Sequence, residues 1–164
     1  MTNSLPQCKT GIVDSHAHVM EEYFEREQLS VIERAHNANV SQIVNPACKI
    51  DDFEELERIS TMSDRIYFAL GQHPHDAKEW QTDYSQRIKN ALKLDKFVAV
   101  GECGLDFYYN HSEKKKQIDV FREQVKIAKE LEKPVIVHCR DAWQEVFEIL
   151  EAEKDDTLQG VFHC

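Results

Sequence analysis

Lys133-Pro134-Val135-Ile136-Val137-His138, followed at Asp141 by a new helix-like run, decides the fold. Before it lies the best amphipathic helix of the chain, about 113–132, with Ile118, Phe121, Val125, Ala128 and Leu131 on one stripe and Ser112 as expected N-cap. Lys133-Pro134 ends that helix, because proline cannot continue it. Val135-Ile136-Val137 is a short, wholly apolar strand, the composition expected where a parallel strand is covered on both faces. It ends in an imidazole. Asp141 is the expected N-cap of the next helix, whose Trp143, Val146, Phe147 and Leu150 form the predicted inner face.

The same grammar runs in both directions. The spacing predicts strands at 12–18, 40–46, 66–70, 97–100, 135–138 and 160–164. Helices are expected at 21–39 (Phe24, Val31, Ile32 and Ala35 apolar), from a cap at Asp51 or Asp52 (Phe53, Leu56, Ile59), and at 83–95, besides the two around 135–138. Six strands alternating with five helices predict right-handed βαβ units around a parallel sheet. No linker, low-complexity stretch or internal repeat divides the chain, so 1–164 is read as a single domain.

The 164 residues are 41% hydrophobic and 30% charged, with 30 acidic against 20 basic residues and a net charge of -10. A polyanion is repelled at long range unless a local patch or bound cations reverse the sign. No apolar run approaches the ~20 residues of a membrane span, and residues 1–9 lack the features of a signal peptide or presequence. A membrane partner is therefore excluded. The five cysteines have no C-x-x-C spacing, which fits a reduced, cytoplasmic setting. Cys103, Cys139 and Cys164 each follow a candidate ligand and should point to the opposite face, as packing residues.

His16 and His18, Glu102, His138 and His163 each stand at or just past the C-terminal end of a predicted strand. That edge of a parallel sheet is where ligands and catalytic groups collect. Singly, each has a plainer reading: two strand histidines, a paired buried carboxylate, hydrogen-bonded core imidazoles. Together, at equivalent places in successive βα units, they predict a metal site. Several imidazoles and one carboxylate suit zinc, manganese, iron or cobalt better than calcium. Glu102, with two oxygens, has the means to bridge two ions. His36 and His111 are expected to be solvated surface residues.

The segments DSHAHV (14–19), GQHPH (71–75), GECGLDFYY (101–109), PVIVHCRDA (134–142) and GVFHC (160–164) resemble the TatD family of metal-dependent deoxyribonucleases, within the amidohydrolase-like metal hydrolases. Glu102, where many amidohydrolases carry a lysine, points to the TatD branch. The resemblance implies an α/β fold of the TIM-type (β/α)8 barrel class and hydrolysis of DNA phosphodiester bonds, from a single strand or strand end. It implies two divalent ions, with zinc best matched to the ligands and magnesium or manganese as alternatives. His16 and His18 would ligate one ion, His138 and His163 the other, with Glu102 between them. His73 and His75 become phosphate-facing or supporting groups, Arg140 a phosphate contact, and Asp14 an orienter of a ligand histidine. Glu102, His73 and Arg140 are thus the expected catalytic set.

The family's barrel is longer, and its last-strand aspartate, the expected general base, has no counterpart here. Five of six core metal-site residues are present. The expectation is a truncated barrel of about six strands, with open edges favouring self-association. Two other readings stay open: a metal hydrolase for another ester or amide, and a catalytically impaired metal-binding remnant.

Overall fold

The computed structural model describes residues 11–163. Its six strands are β1 (Ile12–Asp14), β2 (Val40–Pro46), β3 (Ile66–Leu70), β4 (Phe97–Asp106), β5 (Val135–Arg140) and β6 (Gly160–His163). All neighbours pair in parallel, in the order β1-β2-β3-β4-β5-β6. Each crossover therefore advances by one strand in the same direction, which builds the wall of a TIM-type barrel, here a half-barrel of six strands. The helices are α1 (Glu21–Phe24), α2 (Gln28–Asn37), α3 (Phe53–Ser60), α4 (Tyr84–Ala91), α5 (Lys114–Glu130) and α6 (Trp143–Glu153). Among the described residues no helix is long and apolar enough to cross a membrane.

The sheet has two unlike faces. Against the helices lies a large core containing Ile43, Phe68, Leu70, Phe97, Val100, Phe121, Val125, Val135 and Val137. On the inner face lies a small cluster of Ala69, Ala99 and Ile136, with Val44 against it. Each fully buried Ile, Leu or Phe of the outer core stabilises by roughly 1.5–3 kcal/mol, so the outer face holds the sheet together. Cys103 and Cys139 belong to this outer core, as expected. Cys164 lies outside the described residues.

Several expected boundaries shift, each for a local reason. The 21–39 helix is two helices, because Glu25 and Arg26 take left-handed φ values of 36° and 73°. The 83–95 helix is shorter, Tyr84–Ala91, and the GQHPH segment runs into a 3-10 turn, Pro74–Glu79, that periodicity did not show. Asp52 caps from inside a 3-10 turn, Ile50–Asp52, accepting the backbone N–H groups of Cys48 and Lys49. Ser112 is not an N-cap; Glu113 flanks α5, and the Ser112 hydroxyl instead donates to the His75 carbonyl and accepts from the Lys78 N–H. Asp141 does not cap α6 either, since it sits at φ 51° and Ala142 flanks the helix. The inner face of α6 is Val146 and Ile149. Trp143 and Phe147, expected inside, are 47% and 51% exposed and pack against Phe162.

The largest departure is in β4. The expected strand ended at Val100; the observed one runs six residues further, through Glu102 to Asp106. Between Val100 and Cys103 the register slips, three steps on β4 matching two on β5 (Val135 to Val137). This bulge inverts the side-chain alternation. Ala99 faces inward and Val100 outward. Without the extra residue Glu102 would follow Val100 into the apolar outer core. With it, Cys103 and Leu105 take the outer face, and Glu102 and Asp106 turn inward.

Gly104 lets β4 and β5 approach closely at this point. Its φ is 144°, and a Cβ there would lie 2.0 Å from the His138 carbonyl oxygen. Gly104→Ala should therefore push β5 away at His138. We expect a loss of about 2–4 kcal/mol in urea unfolding, accompanied by weaker metal binding, whereas a change confined to stability would show that His138 keeps its place.

Candidate metal centre

Five of the chain's eight histidines close around the carboxylate of Glu102. They arrive from four different segments, and only the parallel order of the strands brings those segments to one edge. His16 and His18 lie just past β1, which ends at Asp14 and not at 18 as expected. Their convergence is a property of the turn rather than of strand alternation. His16 Nε2 and His18 Nε2 are 3.1 Å apart, near the ~3.4 Å that two nitrogens ~2.1 Å from one tetrahedral ion would show. His138 and His163 are register partners on β5 and β6. His73 stands in the loop after β3.

The two oxygens of Glu102 are divided between these groups. Oε2 lies 3.3 Å from His16 Nε2 and 3.7 Å from His18 Nε2. Oε1 lies 3.0 Å from His138 Nδ1, 3.9 Å from His73 Nε2 and 4.0 Å from His163 Nε2. The pairs are not walled off from each other, because the His16 and His163 rings stack at 3.5 Å. Among the described residues, donor atoms close enough to share an ion form three sets: His16, Glu102 and His163; His18, Cys48 and Glu102; and His73, His75 and His138.

The electrostatics follow from burial and pairing. Glu102 is 3% exposed. Burial pushes its carboxyl up, but hydrogen bonds from His138, His16 and His18 outweigh this and hold it far below the usual carboxylate range. It is therefore an anion inside the protein, which requires cationic or hydrogen-bonding neighbours. Burial lowers His138, yet its bonds to Glu102 and Asp106 reverse that and raise it. Burial pushes His73 down to about 3 against the pull of Glu102, so its ring is neutral at neutral pH. His163 is lowered, mainly by burial and then by the neighbouring His16. Cys48 is pushed up to about 12 by burial and by Glu102.

These residues fit a divalent metal. The donors are imidazoles and a carboxylate, the set that suits such ions. They converge on a buried anion. Among the described residues His16 Nδ1 is a buried side-chain nitrogen without a hydrogen-bond partner. Asp14, expected to orient a ligand ring, accepts the backbone N–H of His16 instead.

Asp106 is the residue that the motif reading quoted but gave no role. It is fully buried, and its Oδ2 meets His75 Nε2 at 2.8 Å and His138 Nε2 at 3.1 Å. Burial raises its carboxyl, but the Tyr109 N–H and these two imidazoles bring it down to about 2. A carboxylate behind a ligand imidazole sets the ring's orientation and basicity. Its position four residues after Glu102, on the same strand face, was the available signal. Arg140 is the last residue of β5, with its guanidinium 4.2 Å and 4.6 Å from the ring centres of Tyr108 and Tyr109. His36 is remote and pairs with Arg65. His111, expected to be merely solvated, packs its ring against His75 and Tyr109.

A parallel half-barrel with a histidine–carboxylate cluster at the C-terminal ends of its strands defines the TIM-type class of metal-site proteins. The chain belongs to the TatD related DNase family, whose model matches residues 13–164. It is 36% identical over 153 residues to a Bacillus subtilis protein named uncharacterized metal-dependent hydrolase YabD, covering 93% of this chain and 60% of that protein. It is 32% identical over 151 residues to the Citrobacter rodentium 3'-5' ssDNA/RNA exonuclease TatD, covering 92% and 57%. The chain thus spans somewhat under two thirds of the length of these relatives. Among solved structures, the TatD homologue YJJV of Escherichia coli superposes with a TM-score of 0.80 at 28% identity, over 87% of this chain and 56% of that one. A TatD family hydrolase of Entamoeba histolytica shares the fold, with a TM-score of 0.81 at 22% identity over 94% and 58%.

Proposed function

We propose that this chain carries the metal centre of a divalent-metal-dependent hydrolase that cleaves phosphodiester bonds in single-stranded DNA, working from a strand end in the cytoplasm. The observation that carries the reading is the division of Glu102, with Oε2 toward His16 and His18, and Oε1 toward His138 and His163. This arrangement supports two ions with a shared carboxylate. Zinc matches the imidazoles best; magnesium or manganese would serve the same chemistry. Two such ions polarise a phosphodiester, lower the pKa of a water and stabilise the leaving oxygen.

The chain's own residues complete the site. Glu102 supplies the buried negative charge that would help hold divalent ions among these imidazoles. Asp106 holds His138 and His75 in orientation through Oδ2. His73 accepts the His75 backbone N–H on Nδ1. Its neutral ring therefore carries the proton on Nε2, aimed toward Glu102 and able to donate to a phosphate oxygen or a water. Arg140, always charged, offers a phosphate partner at the rim. The Citrobacter relative named a 3'-5' ssDNA/RNA exonuclease supports this substrate class.

Metal analysis tests the reading. The purified chain should hold up to two divalent ions per molecule, and His138→Ala/His163→Ala should lose one while keeping the other. Full occupancy in the double variant would show that these histidines ligate nothing. Hydrolysis of small esters or amides in preference to an oligonucleotide would shift the reading to another bond.

A further inference from the structure

We propose that Tyr108, backed by Arg140 and Tyr109, is a stacking subsite for an unpaired nucleobase adjoining the phosphate at the metal centre. The proposal rests on the phosphodiesterase reading above and adds how the strand is held.

The subsite is tied to the centre by one carboxylate. Asp106 uses Oδ2 for His75 and His138. Its Oδ1 accepts the backbone N–H groups of Tyr108 and Tyr109, at 3.0 Å and 2.9 Å. A single buried anion thus sets both the imidazoles and the turn that carries the two tyrosines. Tyr109 is pinned: its ring meets the edge of His75 at 5.5 Å, stacks on His111 at 5.6 Å and lies under Arg140. Tyr108 has Arg140 on its ring at 4.2 Å and Tyr109 against it edge-on, and is otherwise open at 57% exposure. It is a rigidly mounted aromatic with solvent where a base would sit.

The charges around the centre direct a strand there. Around the ends of β1, β2 and β3 lies a cavity of about 400 Å³, with His18, His73 and His75 beside Asp52, Glu55 and Asp76 in its wall and Lys49 as its one lysine or arginine. The carboxylates of that wall, like the chain's net charge of -10, make it a poor seat for the phosphates beyond the metal centre. Arg140, at the end of β5, puts a fixed positive charge beside the tyrosines. A polyanion is therefore steered over Tyr108, and a guanidinium stacked on an aromatic ring recognises both the phosphate and the π-face of a base. An unpaired base presents that face freely, whereas a base within a duplex is stacked on its neighbours, so the subsite favours single strands over duplex.

The test compares two six-nucleotide probes with phosphorothioate linkages, oligodeoxyadenylate and its abasic analogue, against the metal-loaded chain. The unaltered chain should bind the base-bearing probe roughly 10–100-fold more tightly, the fold-change of one to a few stacked bases. Tyr108→Ala should bring that ratio close to one with metal content unchanged. Tyr108→Trp should keep the ratio, with its fluorescence quenched by the base-bearing probe alone. Equal binding of both probes by the unaltered chain, or an unchanged ratio in Tyr108→Ala, overturns the subsite and leaves the phosphodiesterase reading standing. Failure of the unaltered chain to bind either probe overturns both.

Discussion

Glu102→Ala protein should bind divalent metal at least about 100-fold more weakly than the unaltered chain, the upper end of what loss of an outer partner costs. The reason is the position of the side chain. Glu102 lies within 4.0 Å of a ring nitrogen of His16, His18, His73, His138 and His163. Among the described residues no other carboxylate is placed to offer both halves of the cluster an oxygen; Asp106 meets His75 and His138. Removing Glu102 leaves a group of imidazoles whose simultaneous metal binding is no longer offset by a buried negative charge. Glu102→Gln provides the control, since it keeps the volume and one acceptor oxygen. It should fold as the unaltered chain does and still lose most of its metal. Calorimetric titration with zinc after chelation reads both variants. A Glu102→Gln variant that retains two tightly bound ions would sink the bridging role.

Gln124→Leu should lower stability by about 2–4 kcal/mol, read as a fall in melting temperature of roughly 5–15 °C. The carboxamide grips both backbone polar groups of Gln72: Oε1 accepts the N–H at 2.8 Å and Nε2 donates to the carbonyl at 3.1 Å. Gln117, seven residues earlier on α5, does the same to Asp106 at 2.8 Å and 3.0 Å, and reaches the Ser112 carbonyl at 2.9 Å. All of these groups are buried. Leucine matches the volume but strands a backbone N–H and a carbonyl away from water, at about 1–3 kcal/mol each. Gln72 in turn accepts from the Ile50 N–H and donates to the Asp76 carbonyl. Slackening Gln124 should therefore loosen the loop that carries His73. Gln117→Leu is expected to cost at least as much and to weaken metal binding through Asp106. A melting temperature within a degree or two of the unaltered chain would mean that water replaces the amide.

The apolar stripe of α5 announced a helix with one buried face, and that face is where expected. The same stripe gave no reason to place Gln117 and Gln124 in the core, because a glutamine at helical spacing reads as surface until its backbone partners are known. The strands at 40–46 and 66–70 were legible to the residue, since short segments rich in β-branched and aromatic residues between breakers leave little choice. Trp143 and Phe147 were misassigned because periodicity identifies an apolar face without saying whether anything covers it; here Phe162 does so only in part.

The candidate metal-site residues were recognisable one by one, because histidines and a glutamate at successive strand ends form a pattern that survives in one dimension. Which of them share an oxygen was not. Asp106 looked like part of a loop after a four-residue strand; a ten-residue strand with a bulge makes it an inward-facing carboxylate in line with Glu102.

By itself, the sequence determined the alternation of strands and helices, the parallel class of the sheet, the candidate metal donors and the family. All of these rest on local spacing and residue chemistry. Tertiary structure alone decided the inward turn of Glu102 and Asp106, the approach of five imidazoles to Glu102, and the mounting of Tyr108 beside them. The physical reason is that one extra residue in β4 reverses which face every later side chain occupies, and that slip exists only in the pairing with β5.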